Sequence, residues 1–555
     1  MQRRTFLQLS GLSAAGLLIP PITSARGRDP FLLSLPRSVS LRTGNQVVLM
    51  SGADGSKWKY RDVEVTLEQP GDRIGVLVQA AGTPLEEVTL AWDDAVPGGA
   101  SVLGDAWERT YGDVHWQAPG DRRLPWYCIV HDSSHTSCFG VRTGCRAFCS
   151  WKLDNTGLQL CLDLRNGGSG VELGGRQLHA ADIVTSGERP GENAFATVRR
   201  FCTVMCDRPR LMEQPVYGIN DWYYTYGSTS AATILELATF MAAFADNASN
   251  PPFCVVDDGW AVKSPLQPDD CCWGDDYALP NAKFPDMKLL ADHIRQTGMR
   301  PGLWTRPLTA SHLDKKNLLL PPIPGRDDPR SPILDPTIAE NMDRVKNLWN
   351  TYHQWGYEMV KLDYTTYDLF GKWGFEMADG MTAPGWYFND RSRTNAEIIL
   401  DLYGQIREAA GTISLIGCNT VSHLAAGLFE LNRIGDDTSG KEWSRTRKMG
   451  VNTLGFRMVQ QETFYEADGD CVGLTSAIPW EKNRQWLKLL AMSSAPLFVS
   501  PEPAAIGGAQ RQALKESFHT ASRQQPVAEP LDWLTNEWPS TWRLDGQVAR
   551  FDWDG

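Results

Sequence analysis

YEMVKLDYT, residues 357–365, runs from aromatic and apolar positions (Tyr357, Met359, Val360) straight into Lys361, Leu362 and Asp363. A buried strand ordinarily ends in turn residues. This one ends in a lysine and a carboxylate one residue apart. Side chains two apart on a strand point to one face, so Lys361 and Asp363 share a face at the strand's C-terminal end. In a parallel α/β barrel that end carries the chemistry. A purely structural ion pair fits these nine residues equally well, and the surrounding chain has to discriminate.

Working outward, strand-like runs alternate with helical stretches from Leu211 to about residue 500, the grammar of repeated βα units and a parallel sheet. The strands are VYGINDWYY (216–224), FCVVDDGW (253–260), MRPGLWTRP (299–307), the opening stretch, TISLIGCNT (412–420), LNRIGDDT (431–438), CVGLTS (471–476) and APLFVS (495–500). Eight such units over roughly 290 residues match a (β/α)8 TIM barrel in size and order. Before it, residues 31–210 show short strands punctuated by Gly, Pro, Asp and Asn, without strong helix periodicity, which predicts an antiparallel β-sandwich. After it, residues 501–555 predict a short C-terminal β segment of two to four strands. The expected fold is therefore multidomain α/β plus β.

The first 25 residues read as an export signal. Arg3-Arg4-Thr5-Phe6-Leu7 precedes a modestly apolar stretch and Thr23-Ser24-Ala25, the pattern of a twin-arginine signal. The expected location is periplasmic or secreted. No later apolar run is long enough to span a bilayer. The net charge of −12, without a dense basic patch, argues against nucleic acid and anionic membranes as partners. Twelve cysteines in an exported chain permit disulfides. Cys254 and Cys418 lie in apolar runs and read as small buried hydrophobes, whereas Cys271-Cys272 sits in a loop and is the better disulfide candidate. No ligand spacing for zinc occurs, and neither metal nor cofactor is expected.

The polar residues cluster at the strand ends: Asp257-Asp258 after the second strand, Trp304 and Arg306 after the third, Lys361 and Asp363 after the fourth, Cys418-Asn419 after the fifth, and Arg433 with Asp436-Asp437 after the sixth. Charges buried together must pair with one another or face a polar ligand. No Ser-His-Asp order, phosphate-cradling loop or metal triad accompanies them. Two carboxylates flanking a bond are the requirement for glycoside hydrolysis. The nucleophile must stay ionised, which a neighbouring lysine favours, and the general acid is expected in surroundings that raise its proton affinity.

DDGW after the second strand, KLD on the fourth and RIGDDT after the sixth resemble the α-galactosidase families of glycoside hydrolases, families 27 and 36. The resemblance covers about 216–500 and implies a retaining double displacement. It casts Asp363 as nucleophile and Asp437, four residues after Arg433, as acid/base; Asp436 stands where family 36 often has proline and is the competing choice. It casts Asp257 and Asp258 as acceptors for the O4 and O6 hydroxyls. Lys361 would contact ring hydroxyls and Asp363, Arg433 the O2 region, and Trp222 an aromatic wall. Trp304 stands where family 27 often has Tyr, and Cys418-Asn419 lie near O2. LGDAWERTYGDVHW (103–116) resembles a sandwich segment that family 36 lends to the active site, with Trp107 and Tyr111 as candidates. The implied function is an exported retaining α-glycosidase, foremost an α-galactosidase acting on an oligosaccharide or polysaccharide, with the oligomeric state left open. The alternatives are a glycosidase for α-N-acetylgalactosamine, β-L-arabinopyranose or α-glucan, a transglycosylase, or an inert carbohydrate-binding protein.

Overall fold

Alternating buried and partly exposed residues build the first part of the chain. In Glu87–Trp92 the side chains of Val88, Leu90 and Trp92 are buried, and in Val63–Glu68 those of Val63, Val65 and Leu67. Strands of this pattern cover a core with one face. They form two antiparallel sheets, one of six strands and one of eight. Phe139 of the eight-stranded sheet meets Trp151 of the six-stranded one with ring centroids 6.2 Å apart. The computed structural model describes residues 33–44, 46–52, 54–93, 98–245, 249–263, 274, 276–311, 314–326, 332–378 and 380–554. The expected export signal and Cys271-Cys272 lie outside these residues.

One helix departs from the expectation of a strand-only segment up to residue 210. Ala194–Met205 is capped by Asn193, whose side chain accepts the Ala196 N–H. Its apolar stripe (Val198, Phe201, Cys202, Met205) packs on Gly140, where any Cβ would run into Phe201 and Met205. The i, i+3, i+4 spacing of that stripe is legible in the sequence.

Between Tyr217 and Pro501 nine strands form one parallel sheet, most of them buried on both faces. Phe253–Val256 and Met359–Leu362 are buried throughout, as expected for strands covered by helices. The sheet order runs Glu466–Asp468, Leu431–Arg433, Ser414–Gly417, Met359–Leu362, Arg300–Thr305, Phe253–Val256, Tyr217–Asn220, Leu497–Pro501, Cys471–Leu474. Its two end strands are separated only by Gly469-Asp470, so both edges belong to one bent segment. Helices such as Ala339–Trp355 and Asn395–Ala410, the latter with a Thr394/Glu397 capping box, connect successive strands.

The C-terminal part is not purely β. Gly508–Ala521 forms a helix, packed against Trp480–Met492, before three short strands, Glu529–Pro530, Thr541–Leu544 and Gln547–Arg550. Only four of its fourteen positions are buried, which leaves a weak apolar signal in the sequence. The ten described cysteines are all buried and unpaired. Among the described residues no helix is long and apolar enough to cross a membrane.

Candidate active site

Val216, Phe253, Val255, Met359, Ile416, Leu431, Cys471 and Phe498 form one buried cluster inside the parallel sheet. With a strand period of two, the same inner face continues, toward the C-terminal ends, to Asp257, to Lys361 and Asp363, to Cys418 and to Arg433. Five residues from four strands are thus brought to one place by parity alone.

Lys361 does not pair with Asp363. Its Nζ donates to Asp257 Oδ2 at 2.8 Å, across two intervening strand steps. Residues two apart on one strand stand about 6.6 Å apart along it, whereas the curvature of the sheet turns side chains of different strands toward one another. Burial works against the charge on Lys361, but Asp257, joined by Cys418 and Asp363, outweighs it and holds the ammonium well above its ordinary range. Asp257 also accepts from Asn220.

Asp363, half-buried, is fixed by three N–H donors. Oδ1 accepts from the backbone of Tyr364 at 2.7 Å and of Asn419 at 3.1 Å, and Oδ2 accepts from Trp304 Nε1 at 3.2 Å. Trp304 is buried, so it orients the carboxylate with its edge rather than offering an open face. Trp222 is half-buried at the start of a short helix, its ring 5.7 Å from that of Tyr226. Asn419 is committed elsewhere: its amide donates to Glu108 and its Oδ1 accepts from the Tyr367 N–H.

Asp258 is 2% exposed, and its Oδ2 has no hydrogen-bond partner among the described residues. Burial, reinforced by Asp257, pushes its carboxyl up to about 8. Arg306, by contrast, is spent on a fully buried two-pronged pair with Asp368 at 2.6 and 3.0 Å.

The two neighbouring carboxylates after the sixth strand differ sharply. Asp436 is clamped between Arg109 at 2.9 Å and Arg445 at 2.6 Å, with its side chain 13% exposed. The Asp437 side chain is 38% exposed and lies 3.1 Å from Arg433 and 3.6 Å from Arg109. Burial works to raise the Asp437 carboxyl, but Arg433, Arg109 and Lys361 together outweigh it and hold it down at about 2. The surroundings expected of a resting general acid are therefore absent; three cations from three segments set the balance instead. Cys418 sits among the same groups, its sulfur accepting from Arg433 at 3.6 Å and Arg109 at 3.8 Å, and burial keeps the thiol protonated.

Arg109 and Glu108 are residues that strand-end reasoning passes over. They lie in LGDAWERTYGDVHW, and the adjacent charge pair between Trp107 and Tyr111 is the available signal. Thr110 donates its N–H to Ile434 O at 2.9 Å, and Asp436 donates its own to Thr110 O at 2.8 Å. Gly435 lets the other side of this loop pack on the segment that follows it, because a Cβ there would stand 2.2 Å from Met449 O. Arg457 locks the segment from below, reaching Asp105 at 2.7 Å and Glu108 O at 2.6 Å. Trp107 points away, packing edge-on against Trp126 and Phe148. The Tyr111 hydroxyl donates to Glu108, whose carboxyl burial pushes up to about 7. Tyr111 and Arg109 also line a cavity of about 480 Å³ shared with Phe375 and Arg122; neither Asp363 nor Asp437 is in its wall. Further buried carboxylates, Asp221, Asp468 and Asp470, support the floor of the site.

No protein family profile and no curated protein matches the sequence. Among solved structures, the chain is similar to TtGalA, an alpha-galactosidase from Thermus thermophilus in complex with p-nitrophenyl alpha-D-galactopyranoside: 16% identity, 92% of this chain and 98% of that one covered, TM-score 0.61. The same protein in complex with stachyose aligns at 18% identity over 88% of this chain and 100% of that one, TM-score 0.57. A GH36 alpha-galactosidase, AgaB from Geobacillus stearothermophilus, aligns at 12% identity over 90% of this chain and 76% of that one, TM-score 0.56. What these alignments establish is a shared fold.

Proposed function

We propose that this chain is an exported retaining α-galactosidase that removes terminal α-galactosyl residues from oligosaccharides. The observation that carries it is that two solvent-reachable carboxylates, Asp363 and Asp437, both interact with the Lys361 charge in one cation-lined site. The likeness in fold to solved alpha-galactosidases over nearly the whole chain supports it. On this reading the sheet is a (β/α)8 barrel, closed by the bent segment Glu466–Leu474, and the preceding sheets are a β-sandwich that lends Arg109 to the site. The twin-arginine motif at residues 3–4 supports export.

Each residue then has a chemical task. Asp363, aimed by Trp304, Tyr364 and Asn419, attacks the anomeric carbon. The bond from that carbon to the glycosidic oxygen breaks, and Asp437, which takes up a proton from solvent as bound substrate displaces water from its exposed side, supplies that proton to the departing oxygen. Asp437, now ionised and beside Arg433 and Arg109, takes a proton from water as the water attacks the glycosyl ester, and Asp363 is released. Two inversions give retention. Asp258, protonated around neutrality and with one buried oxygen unsatisfied, is the hydrogen-bond partner for a sugar hydroxyl; meeting that oxygen's need is part of the binding free energy. The Asp257–Lys361 pair presents a second polar contact beside it. Between the two carboxylates after the sixth strand, exposure favours Asp437, because Asp436 is already held by two guanidiniums.

The test is a panel of aryl glycosides: α-galactosyl, α-N-acetylgalactosaminyl, β-L-arabinopyranosyl and α-glucosyl. The α-galactoside should be turned over with the highest kcat/KM and release α-galactose first. Preference for another member would reassign the sugar, and no turnover of any would leave only carbohydrate binding.

A further inference from the structure

We propose that Asp470 is a positioning residue for the reaction, holding Arg433 and the loop that carries Asp437 in one fixed arrangement. The proposal rests on the retaining-glycosidase reading above. Asp470 occupies the bend between Glu466–Asp468 and Cys471–Leu474, where the strand leaves one neighbour and joins the other. It is buried and takes a left-handed backbone conformation, φ 69°, which is uncommon for a residue other than glycine. Such conformations persist where the surroundings over-determine them, and they gather at functional sites.

A single oxygen, Asp470 Oδ2, gathers donors from three residues, Tyr223 on one segment and Arg433 and Thr438 on another. It accepts from the Tyr223 hydroxyl. It accepts from Thr438 twice, from the backbone N–H at 2.8 Å and from Oγ1 at 2.9 Å. It also lies 3.1 Å from Arg433 Nη2. That same Nη2 is 3.1 Å from Asp437 Oδ1. Thr438 is the residue after Asp437, so Asp470 fixes the Asp437 loop through the backbone and through the guanidinium at once. The other titratable groups around it are Tyr223, Asp468, which accepts the Asp470 N–H at 2.9 Å, Cys471, and Lys361, a cation that lines the same small cavity. None of them supplies Arg433 with a second negative charge at comparable distance.

Arg433 is shared between Asp470 and Asp437. Without the Asp470 charge, the guanidinium acts on Asp437 uncompensated and disfavours its protonated form. Proton delivery to the leaving group is then impaired, while attack by Asp363 is untouched.

The experiment compares Asp470→Asn with the wild-type full chain on phenyl and 2,4-dinitrophenyl α-galactosides across pH, with circular dichroism and a thermal melt as checks of folding. The expected result is a loss in kcat/KM on the order of 100-fold for the phenyl substrate and less than about threefold for the dinitrophenyl one, with the basic limb of kcat, which reports the acid in the substrate complex, displaced downward by about one pH unit. An equal loss on both substrates, with an unmoved pH profile, would overturn the proposal and leave the glycosidase reading standing. Absence of wild-type turnover would instead overturn that reading and this proposal with it. Should Asp470→Asn fail to fold, Tyr223→Phe and Thr438→Val each remove one donor to Asp470. They should reproduce the same leaving-group split in weaker form, and a uniform effect from both would refute the assignment.

Discussion

Replacing Arg109 with methionine tests the electrostatics of the site directly. Its Nη1 is 3.6 Å from Asp437 Oδ1 and its Nη2 is 2.9 Å from Asp436 Oδ1. A unit charge at the longer distance is worth about 1.2 kcal/mol in water and about 4.6 kcal/mol at an effective dielectric of 20. The Asp437 side chain is 38% exposed, so solvent screening places the effect toward the lower value. About 1.5 kcal/mol corresponds to roughly one pKa unit. Arg109 acts to lower the Asp437 carboxyl, so its removal raises it from about 2. Asp436, left with Arg445 alone, adds a less compensated negative charge nearby and pushes the same way. The basic limb of kcat reports the acid in the substrate complex; it should move up by about one pH unit for a phenyl α-galactoside. Methionine removes the guanidinium, whose carbon lies 5.4 Å from the Trp373 ring centroid and 5.9 Å from that of Tyr111, while an unbranched uncharged side chain stays in its place. Arg445→Met, which touches Asp436 but not Asp437, serves as the control and should give a smaller displacement. A limb that stays in place or moves to lower pH, in a variant that melts like the wild type, would refute the electrostatic account of Asp437.

Asp363→Gly should abolish turnover of an aryl α-galactoside, and added azide should restore part of it with β-galactosyl azide as product; full activity without azide would remove Asp363 from the nucleophile role. Asp258→Asn should cost sugar affinity yet change stability in a pH-dependent way. The folded carboxyl is raised to about 8, so its stabilising protonation is complete below the unfolded value near 4 and is lost as pH rises through 8. The variant should therefore gain in Tm relative to wild type at pH 8 more than at pH 4, as read by calorimetry. Asp368→Asn should lower stability by about 3–5 kcal/mol, because it strands the fully buried Arg306 guanidinium without its counter-charge; a denaturant midpoint within error of wild type would contradict that burial.

Much of the site follows from local rules that a sequence carries openly. A strand has period two, so Val255 inside implies Asp257 inside, and Met359 inside implies Lys361 and Asp363 inside. The order of βα units places all these ends on one rim. KLD and RIGDDT are legible for that reason, as is the apolar stripe of Ala194–Met205. The amphipathic signal of Gly508–Ala521 is weak, because that helix rests on another helix over a narrow strip.

Partnership was settled by the tertiary structure. Lys361 reaches Asp257 rather than the carboxylate two residues away, since sheet curvature brings different strands together while residues of one strand stay apart. Arg109 enters from a segment far back in the chain, through hydrogen bonds of Thr110 to Ile434 and Asp436 that no local pattern announces. Asp470 matters because a strand bends there to satisfy two neighbours. The Asp437 carboxyl, held down at about 2, records the sum of burial and of Arg433, Arg109 and Lys361. Side-chain direction is a property of a few consecutive residues and can be read from them. Charge balance is a sum over everything within several ångströms, and only the packed chain defines what that includes.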